Sequence, residues 1–406
     1  MKAPRPVHPD ASARQQRASD PATSVFVSAN AGSGKTHVLV QRVIRLLLNK
    51  VDPARILCIT FTKAAAANMS ERVFATLGQW VTLDDDALNA ALRDVGIAQP
   101  DVEWRERARK LFASALETPG GLKVQTIHAL CTRLLQQFPF EARVPARFTV
   151  LDERDQTEMM ERASLKVMLA ASQNPDSAGG RALQYAMGAA ADTTLRDVLN
   201  QACLSRDHVM AWVEDRGIEQ AIGDVADALG VDPDERVEEV EREMIDGPNL
   251  PRSMWLDTAS LLATGSSTDK DQAKRLSEAH AMVGDATQAD RYLDVFLTGD
   301  GNPRKSFVTR KISDARPDIA EMLADECLRV TALLGRRRAL TIRDRTQSLL
   351  VIATAIAANY RREKQERGLL DYDDLIDKTL DMLNQTSPGW VHYKLDRGVD
   401  HVLIDE

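Results

Sequence analysis

Two clusters in this chain carry the residue types of phosphate chemistry. The first is "SANAGSGKT", residues 28–36, where glycines, a lysine and a hydroxyl stand close together. Glycine lets a backbone turn so that successive N–H groups face phosphate oxygens, and a helix starting there adds its positive end. Gly32 and Gly34 supply that freedom, Lys35 has the reach and charge for β- and γ-phosphates, and the Thr36 hydroxyl suits Mg²⁺. Ala29, Asn30, Ala31, Gly32, Ser33, Gly34, Lys35 and Thr36 are therefore a candidate cradle for ATP. The strict GxxxxGK[ST] pattern has glycine where this chain has Ala29, a position that tolerates a small side chain. The plain alternative is a glycine-rich turn that precedes a lysine. The second cluster is "VLIDE", residues 402–406, an apolar run ending in two acids. A phosphate-loop site needs a strand-end acid to hold Mg²⁺ and a neighbouring carboxylate to activate the attacking water. Asp405 fits the first role and Glu406 the second. Lys35, Asp405 and Glu406 are the candidate catalytic groups, with Thr36 and Asp405 the candidate metal ligands.

Such groups must be held at the carboxyl ends of neighbouring strands, where open α/β sheets bind their ligands. Three β-branched runs fit: "SVFVSAN" (24–30), "RILCITFT" (55–62) and "LKVQTIHAL" (122–130). The first two lead into helical patterns, "THVLVQRVIRLLL" with Val38, Leu39, Arg42 and Val43 at helical spacing, and "KAAAANMSERVFATLGQW". Strand alternating with helix predicts a parallel sheet. "FTVLD" (148–152) is a fourth run, and Val402, Leu403 and Ile404 read as a further, buried strand. From 153 to 367 the helical period takes over, punctuated by "SQNPDSAGG", "DGPNLPRS", "ATGSSTDKD" and "TGDGNPRKS". Its last part, roughly 318–366, reads as one or two long helices bearing arginines. The expected fold is an α/β, RecA-like P-loop NTPase domain interrupted by a mostly helical insertion. Residues 1–11 would be a loose polar arm, 12–152 and 368–406 the sheet domain, and 153–367 the insertion.

The chain has 406 residues, 44% hydrophobic and 28% charged, an ordinary globular composition with room for two or three domains. Its longest apolar runs fall short of a membrane span, and "MKAPRPVHPD" lacks the apolar core of a signal peptide, so no membrane is expected. Cys58, Cys131, Cys203 and Cys327 are far apart, without CxxC spacing, which fits a reducing cytoplasm. The net charge of −8 is unevenly spread. Residues 211–246 hold 13 Asp/Glu against 3 Lys/Arg, and residues 329–367 hold 10 Lys/Arg against 3 Asp/Glu. Nucleic acid responds to local patches, so the total excludes nothing. The basic stretch from Arg336 to Arg367 reads either as a solvated helix face or as a surface for duplex DNA or a partner.

In order along the chain, "ANAGSGKT", "ILCITFTKAAAANMSERV", "VQTIHALCTRLL", "DYDDLI" and "VLIDE" resemble the motif series of UvrD/Rep-type superfamily-one DNA helicases. The wording is most similar to the helicase–nuclease subunit of bacterial AddAB double-strand-break repair complexes. The resemblance covers roughly 12–152 and 368–406, and implies a motor domain 1A cut at the Walker B acids with an inserted domain 1B. It implies an ATP- and Mg²⁺-dependent motor on single-stranded DNA and DNA ends, an AddB-like partner, and a nuclease domain further along. It also implies roles for single residues. Gln15, in "QQRA", matches the adenine-reading glutamine; otherwise it is an exposed residue of the arm. Phe61, Thr62 and Lys63 match one DNA-contacting segment, where an aromatic face suits any base; otherwise Phe61 packs in the core. Thr126 and His128 match a second, with Ile127 where the UvrD branch has phenylalanine; otherwise His128 is structural. His37 stands where UvrD and Rep carry arginine.

Three alternatives remain open at this point: a catalytically incomplete ATP- and DNA-binding fragment, a UvrD/Rep-type helicase without nuclease, and another P-loop enzyme such as a small-molecule kinase. The last leaves "TFTKAAA" and "QTIHAL" without a purpose. "DYDDLID" (371–377) reads as a metal cluster or, more simply, as a helix start with Asp371 as N-cap.

Overall fold

A computed structural model describes residues 9–30, 32–118, 121–284, 287–384, 389–396 and 398–405. The chain divides into two compact units, Met1–Gln156 with Lys364–Glu406, and Thr157–Glu363.

The first unit contains α1 (Pro9–Ala18), α2 (Lys35–Leu48), β1 (Ile56–Thr60), α3 (Lys63–Thr82), α4 (Asp85–Asp94), α5 (Val102–Glu117), β2 (Lys123–Thr126), α6 (Ile127–Gln137) and β3 (Thr149–Val150). The helix α7 (Glu153–Gln173) leads out of it. In the second unit follow α8 (Ala178–Ala189), α9 (Asp192–Leu204), α10 (Arg206–Arg216), α11 (Ile218–Leu229), α12 (Val237–Ile245), α13 (Trp255–Leu262), α14 (Ser267–Ala281), α15 (Gln288–Phe296) and α16 (Arg310–Ala315). The long α17 (Pro317–Arg367) leads back to β4 (Leu369–Leu370), α18 (Tyr372–Asn384), α19 (Gly389–Asp396) and β5 (His401–Ile404).

The sheet of the first unit is parallel, in the order β2-β1-β5. Leu57 faces Lys123 and Thr60 faces Thr126 on one side of β1, and Ile56 faces His401 and Ile59 faces Ile404 on the other. The central strand "ILCIT" is apolar nearly throughout, as a strand covered on both faces must be. Val43, Ile44, Leu46, Leu47 and Leu48 of α2 share a core with Met69, Val73 and Leu77 of α3, Ile56 and Cys58 of β1, and Leu403 of β5. A second core joins α6 to α18 through Leu134, Leu135, Leu375 and Met382. A parallel β3–β4 pair closes beside it, with Val150 opposite Leu370.

Two strand expectations are corrected. Residues 24–30 form no strand: Phe26 is 94% exposed, and Val25 and Val27 are also exposed. Strand propensity reports fit to a pleated neighbour, and no described strand pairs with this segment. The turn before it is instead held by Arg42 of α2, whose guanidinium donates to the carbonyls of Ala18, Asp20 and Thr23. Residues 402–404 are only half-buried. Leu403 enters the core, but Val402 is 56% and Ile404 71% exposed, β5 being an outer strand among the described residues. The helix α1 also begins at Pro9, inside the stretch expected to be a loose arm; residues 1–8 lie outside those described.

The second unit is helical among its described residues. Trp255 stacks on Tyr292 at 4.3 Å with planes 6° apart, and Phe296 meets Tyr292 edge-on. Around them pack Leu262, Leu276, Leu323 and Val330. The expected one or two long helices are a single 51-residue α17, about 75 Å long at 1.5 Å per residue. Its arginines engage the acidic segment. Arg329 donates to the fully buried Glu326 and to the carbonyls of Glu243 and Met244. Arg336 pairs with Glu235 and Glu243, and Arg337 with Glu241 and Asp290. Arg343 donates to the carbonyls of Asp232 and Pro233. An open basic face at Arg336 and Arg337 is therefore corrected: acids distant in sequence neutralise it.

Candidate functional site

The Gly–Lys–Thr loop owes its shape to two left-handed glycines. Gly32 has φ +78° and Gly34 φ +92°, a region where a side chain would be strained. A Cβ on Gly34 would also stand 2.9 Å from Gln15 Nε2. The loop turns where Ser33 N–H donates to the Asn30 carbonyl at 3.2 Å, and α2 begins at Lys35 with no side chain capping its first turn. Lys35 and Thr36 thus stand on the opening turn of a helix, its positive end. Ala29, Asn30, Gly32 and Ser33 are exposed, while Gly34, Lys35 and Thr36 are half-buried; Ala31 lies outside the described residues. Gln15 belongs to α1, not to a loose arm. Its Nε2 donates to the Ser33 carbonyl at 3.1 Å, which fastens α1 to the loop.

The strand ends collect a second set of groups. Thr60 closes β1 opposite Thr126, which closes β2. Past Thr60, Phe61 is 72% exposed, so the core-packing alternative for it does not hold. Thr62 caps α3, its Oγ1 accepting from Ala65 N–H at 3.1 Å, and the exposed Lys63 opens that helix. Thr126 caps α6 in the same way, accepting from Ala129 N–H at 3.2 Å. Both threonines turn a strand into a helix whose positive end faces the same sheet edge. His128, on the first turn of α6, is half-buried against the Tyr372 ring, 4.8 Å between centroids. Asp405 follows β5, half-buried, with its backbone N–H on the Ile59 carbonyl at 2.8 Å. Glu406 lies outside the described residues.

The structure therefore brings Phe61, Thr62, Lys63, Thr126, His128 and Asp405 to the carboxyl edge of one parallel sheet, and Gln15 to the phosphate-loop sequence. It does not hang the loop on the tip of a fourth strand. The loop joins the sheet through α2, whose apolar face packs on β1 and β5. A cavity of about 520 Å³ lies elsewhere, between α5 and the α2–β1 link. In its lining Glu103 pairs with both Lys50 and Arg107, and the cavity contains none of the candidate site residues.

"DYDDLID" is a helix start. Asp374 N–H donates to Asp371 Oδ1 at 3.0 Å, and Asp371 N–H donates to Asp374 Oδ2 at 2.9 Å. Lys364 Nζ donates to both acids, at 2.8 and 2.5 Å. Burial pushes the Asp374 carboxyl above its usual range and the neighbouring Asp371 adds to this, partly offset by Lys364. No group of three or more His, Cys, Asp or Glu suited to a metal occurs among the described residues. Sequence reasoning missed the tyrosine inside this motif and the lysine that supports it; the one available signal was an aromatic directly after a capping acid.

A parallel α/β unit with a glycine-rich loop opening a helix and an acid at a strand end defines the general class, consistent with a P-loop NTPase. Comparison makes this specific. The UvrD/REP helicase N-terminal domain profile matches residues 11–406, and the chain belongs to that family. It is similar to proteins whose names describe them as the A-type subunits of ATP-dependent helicase/nucleases. That of Syntrophomonas wolfei subsp. wolfei is 24% identical over 381 residues, covering 89% of this chain and 29% of the relative. That of Levilactobacillus brevis is 25% identical over 420 residues, covering 94% and 30%. One from Desulfitobacterium hafniense is 31% identical over 210 residues, covering 49% and 13%. The chain spans less than a third of the length of these relatives.

Proposed function

We propose that this chain is the N-terminal, RecA-like motor part of an ATP-dependent DNA helicase, the helicase–nuclease kind that acts on DNA ends in double-strand-break repair. The observation that carries this is the shared carboxyl edge: the Phe61–Lys63 segment, the Thr126–His128 segment and Asp405 end three adjacent parallel strands or open their helices. That arrangement suits a site where nucleotide state and strand contact act on one another. In it, Lys35 and the first-turn N–H groups of α2 hold the phosphates, and Gln15 supports the loop or reads the base. Phe61 offers a stacking face, and Lys63 and the two helix starts meet backbone phosphates.

A hydroxyl and a carboxylate are the oxygen donors Mg²⁺ takes beside substrate phosphates, so Thr36 and Asp405 suit it. Bound there, the ion would neutralise charge on the γ-phosphate. Glu406, from its place after Asp405, is assigned as the base that directs water. Residues 12–152 and 368–406 act as the motor domain, and 153–367 as its helical insertion. The names of the relatives support a nuclease elsewhere in the protein, and an AddB-like partner follows from the same resemblance. Four free, buried cysteines suit a cytoplasmic setting, and no helix among the described residues is long and apolar enough to cross a membrane.

The test is binding of a fluorescent ATP analogue and of a labelled oligo-dT strand to the parent and to Lys35→Ala. Loss of nucleotide affinity by about tenfold or more, with the strand still bound, is expected for a phosphate-contacting lysine. Unchanged nucleotide affinity in Lys35→Ala would remove the assignment.

A further inference from the structure

His128 is one of the groups assigned above to the nucleic-acid edge, and its ring rests on a residue without a role so far. Tyr372 stands on the first turn of α18, its ring 4.8 Å from that of His128 and inclined to it by 55°. Both side chains are half-buried, so the pair sits at the border of core and solvent.

The turn that carries Tyr372 is held by several hydrogen bonds and ion pairs. Asp371, immediately before it, is fully buried, and Lys364 binds both Asp371 and Asp374 while the two acids cap each other's backbone. Leu151 N–H donates to the Leu370 carbonyl at 2.8 Å, which ties the residue before that to β3. Beneath, Leu375 packs with Cys131 and Leu134 of α6, the helix that bears His128. A helix start needs one capping acceptor. Placing one buried and one half-buried carboxylate around one buried ammonium carries a desolvation cost that pairing offsets only in part, so its use is better sought in orientation than in stability.

We propose that Tyr372 is a positioning residue for His128: the Lys364–Asp371–Asp374 unit fixes the tyrosine ring, and that ring holds the imidazole where it meets single-stranded DNA at the end of β2. This rests on the reading of His128 as a strand contact. The part of Tyr372 that matters is the ring, which makes the tilted contact with the imidazole.

The experiment compares oligo-dT affinity of the parent, Tyr372→Phe, Tyr372→Ala, Tyr372→Leu, His128→Ala and the Tyr372→Ala/His128→Ala double variant, with the thermal midpoint of each. The His128 ring-proton resonance is followed in DNA-free protein. Tyr372→Phe should keep both the affinity and the resonance position. Tyr372→Ala and Tyr372→Leu should move the resonance and weaken DNA binding by about fivefold to tenfold, as much as His128→Ala, and the double variant should lose no more. Losses that multiply in the double variant would overturn the proposal, as would full affinity in Tyr372→Ala beside a weakened His128→Ala. Failure of the parent to bind the strand would instead sink the DNA reading itself. Unchanged binding in His128→Ala would remove the histidine's role and the tyrosine's with it.

Discussion

Asp405 donates its backbone N–H to the carbonyl of Ile59 at 2.8 Å, so the β1–β5 ladder continues one residue past the end of β5. The bond holds the aspartate backbone beside the strand that leads into Phe61. The side chain itself is not tied up in the ladder, and replacing it leaves this hydrogen bond intact.

Asp405→Asn should therefore fold like the parent and lose the magnesium-dependent part of nucleotide binding. With Mg²⁺ present, affinity for the ATP analogue should fall by about tenfold; in EDTA the two proteins should match, because a neutral amide is a poor ligand for a hard cation. Titration under both conditions checks this, and an equal loss in EDTA would move Asp405 out of the metal role.

Phe61→Ala should weaken oligo-dT binding by about 1–3 kcal/mol, the range for one base–aromatic stack. Its thermal midpoint should stay close to the parent's, since the ring is mostly in water. A large fall in midpoint would make Phe61 a packing residue after all.

Arg336 and Arg337 already face Glu235, Glu243, Glu241 and Asp290. Changing both to glutamine should leave the slope of log affinity against log salt unaltered for oligo-dT. Had either arginine neutralised a DNA phosphate, its removal would reduce the slope by about 0.7 for a single strand. Such a reduction would restore the open basic face that the sequence suggests.

Glu326 is fully buried between the Tyr292 hydroxyl, 2.6 Å away, and the Arg329 guanidinium. Removing one partner of a buried pair strands the other, so Glu326→Ala should destabilise the helical unit by about 3–5 kcal/mol. Arg336→Ala, in a more exposed pair, should cost about 0–1 kcal/mol. Urea melts of both variants compare them directly, and equal costs would contradict the difference in burial.

Asp374 gives a pH dependence with a definite sign. Its folded carboxyl is raised by burial and by Asp371, so the folded state binds this proton more tightly than the unfolded state. The contribution to stability is present below the unfolded carboxyl range and is lost as pH rises through the raised folded value. Relative to Asp374→Asn, which cannot ionise, the parent should lose thermal stability as pH rises above the ordinary carboxylate range. A constant difference between the two proteins over that rise would argue that Lys364 fully compensates the second charge.

What could be read without coordinates was what depends on neighbours in sequence. The spacing from Gly32 to Thr36 and the apolar "ILCIT" strand are local features, and each has its counterpart in a turn or a ladder. Residues 24–30 misled because a β-branched and aromatic run describes a surface that needs a partner, and the partner is not written in the segment. Val402 and Ile404 misled for the related reason that position in a sheet, central or edge, is a property of the whole fold. The acidic and basic stretches were visible as charge, but their pairing spans about a hundred residues, as between Glu235 and Arg336. Tyr372 was hidden among four acids whose capping role drew the explanation.

The exposed rim of β5 also bears on how the chain behaves in a test tube. Among the described residues β5 is an outer strand with one side unpaired, and its Val402 and Ile404 are exposed, so it is a template on which a like segment from another molecule can add. Concentrated preparations should thus be prone to clumping that salt, which screens the net charge of −8, makes worse. Dilute, low-salt handling, or a lysine at position 404, should keep the molecules apart.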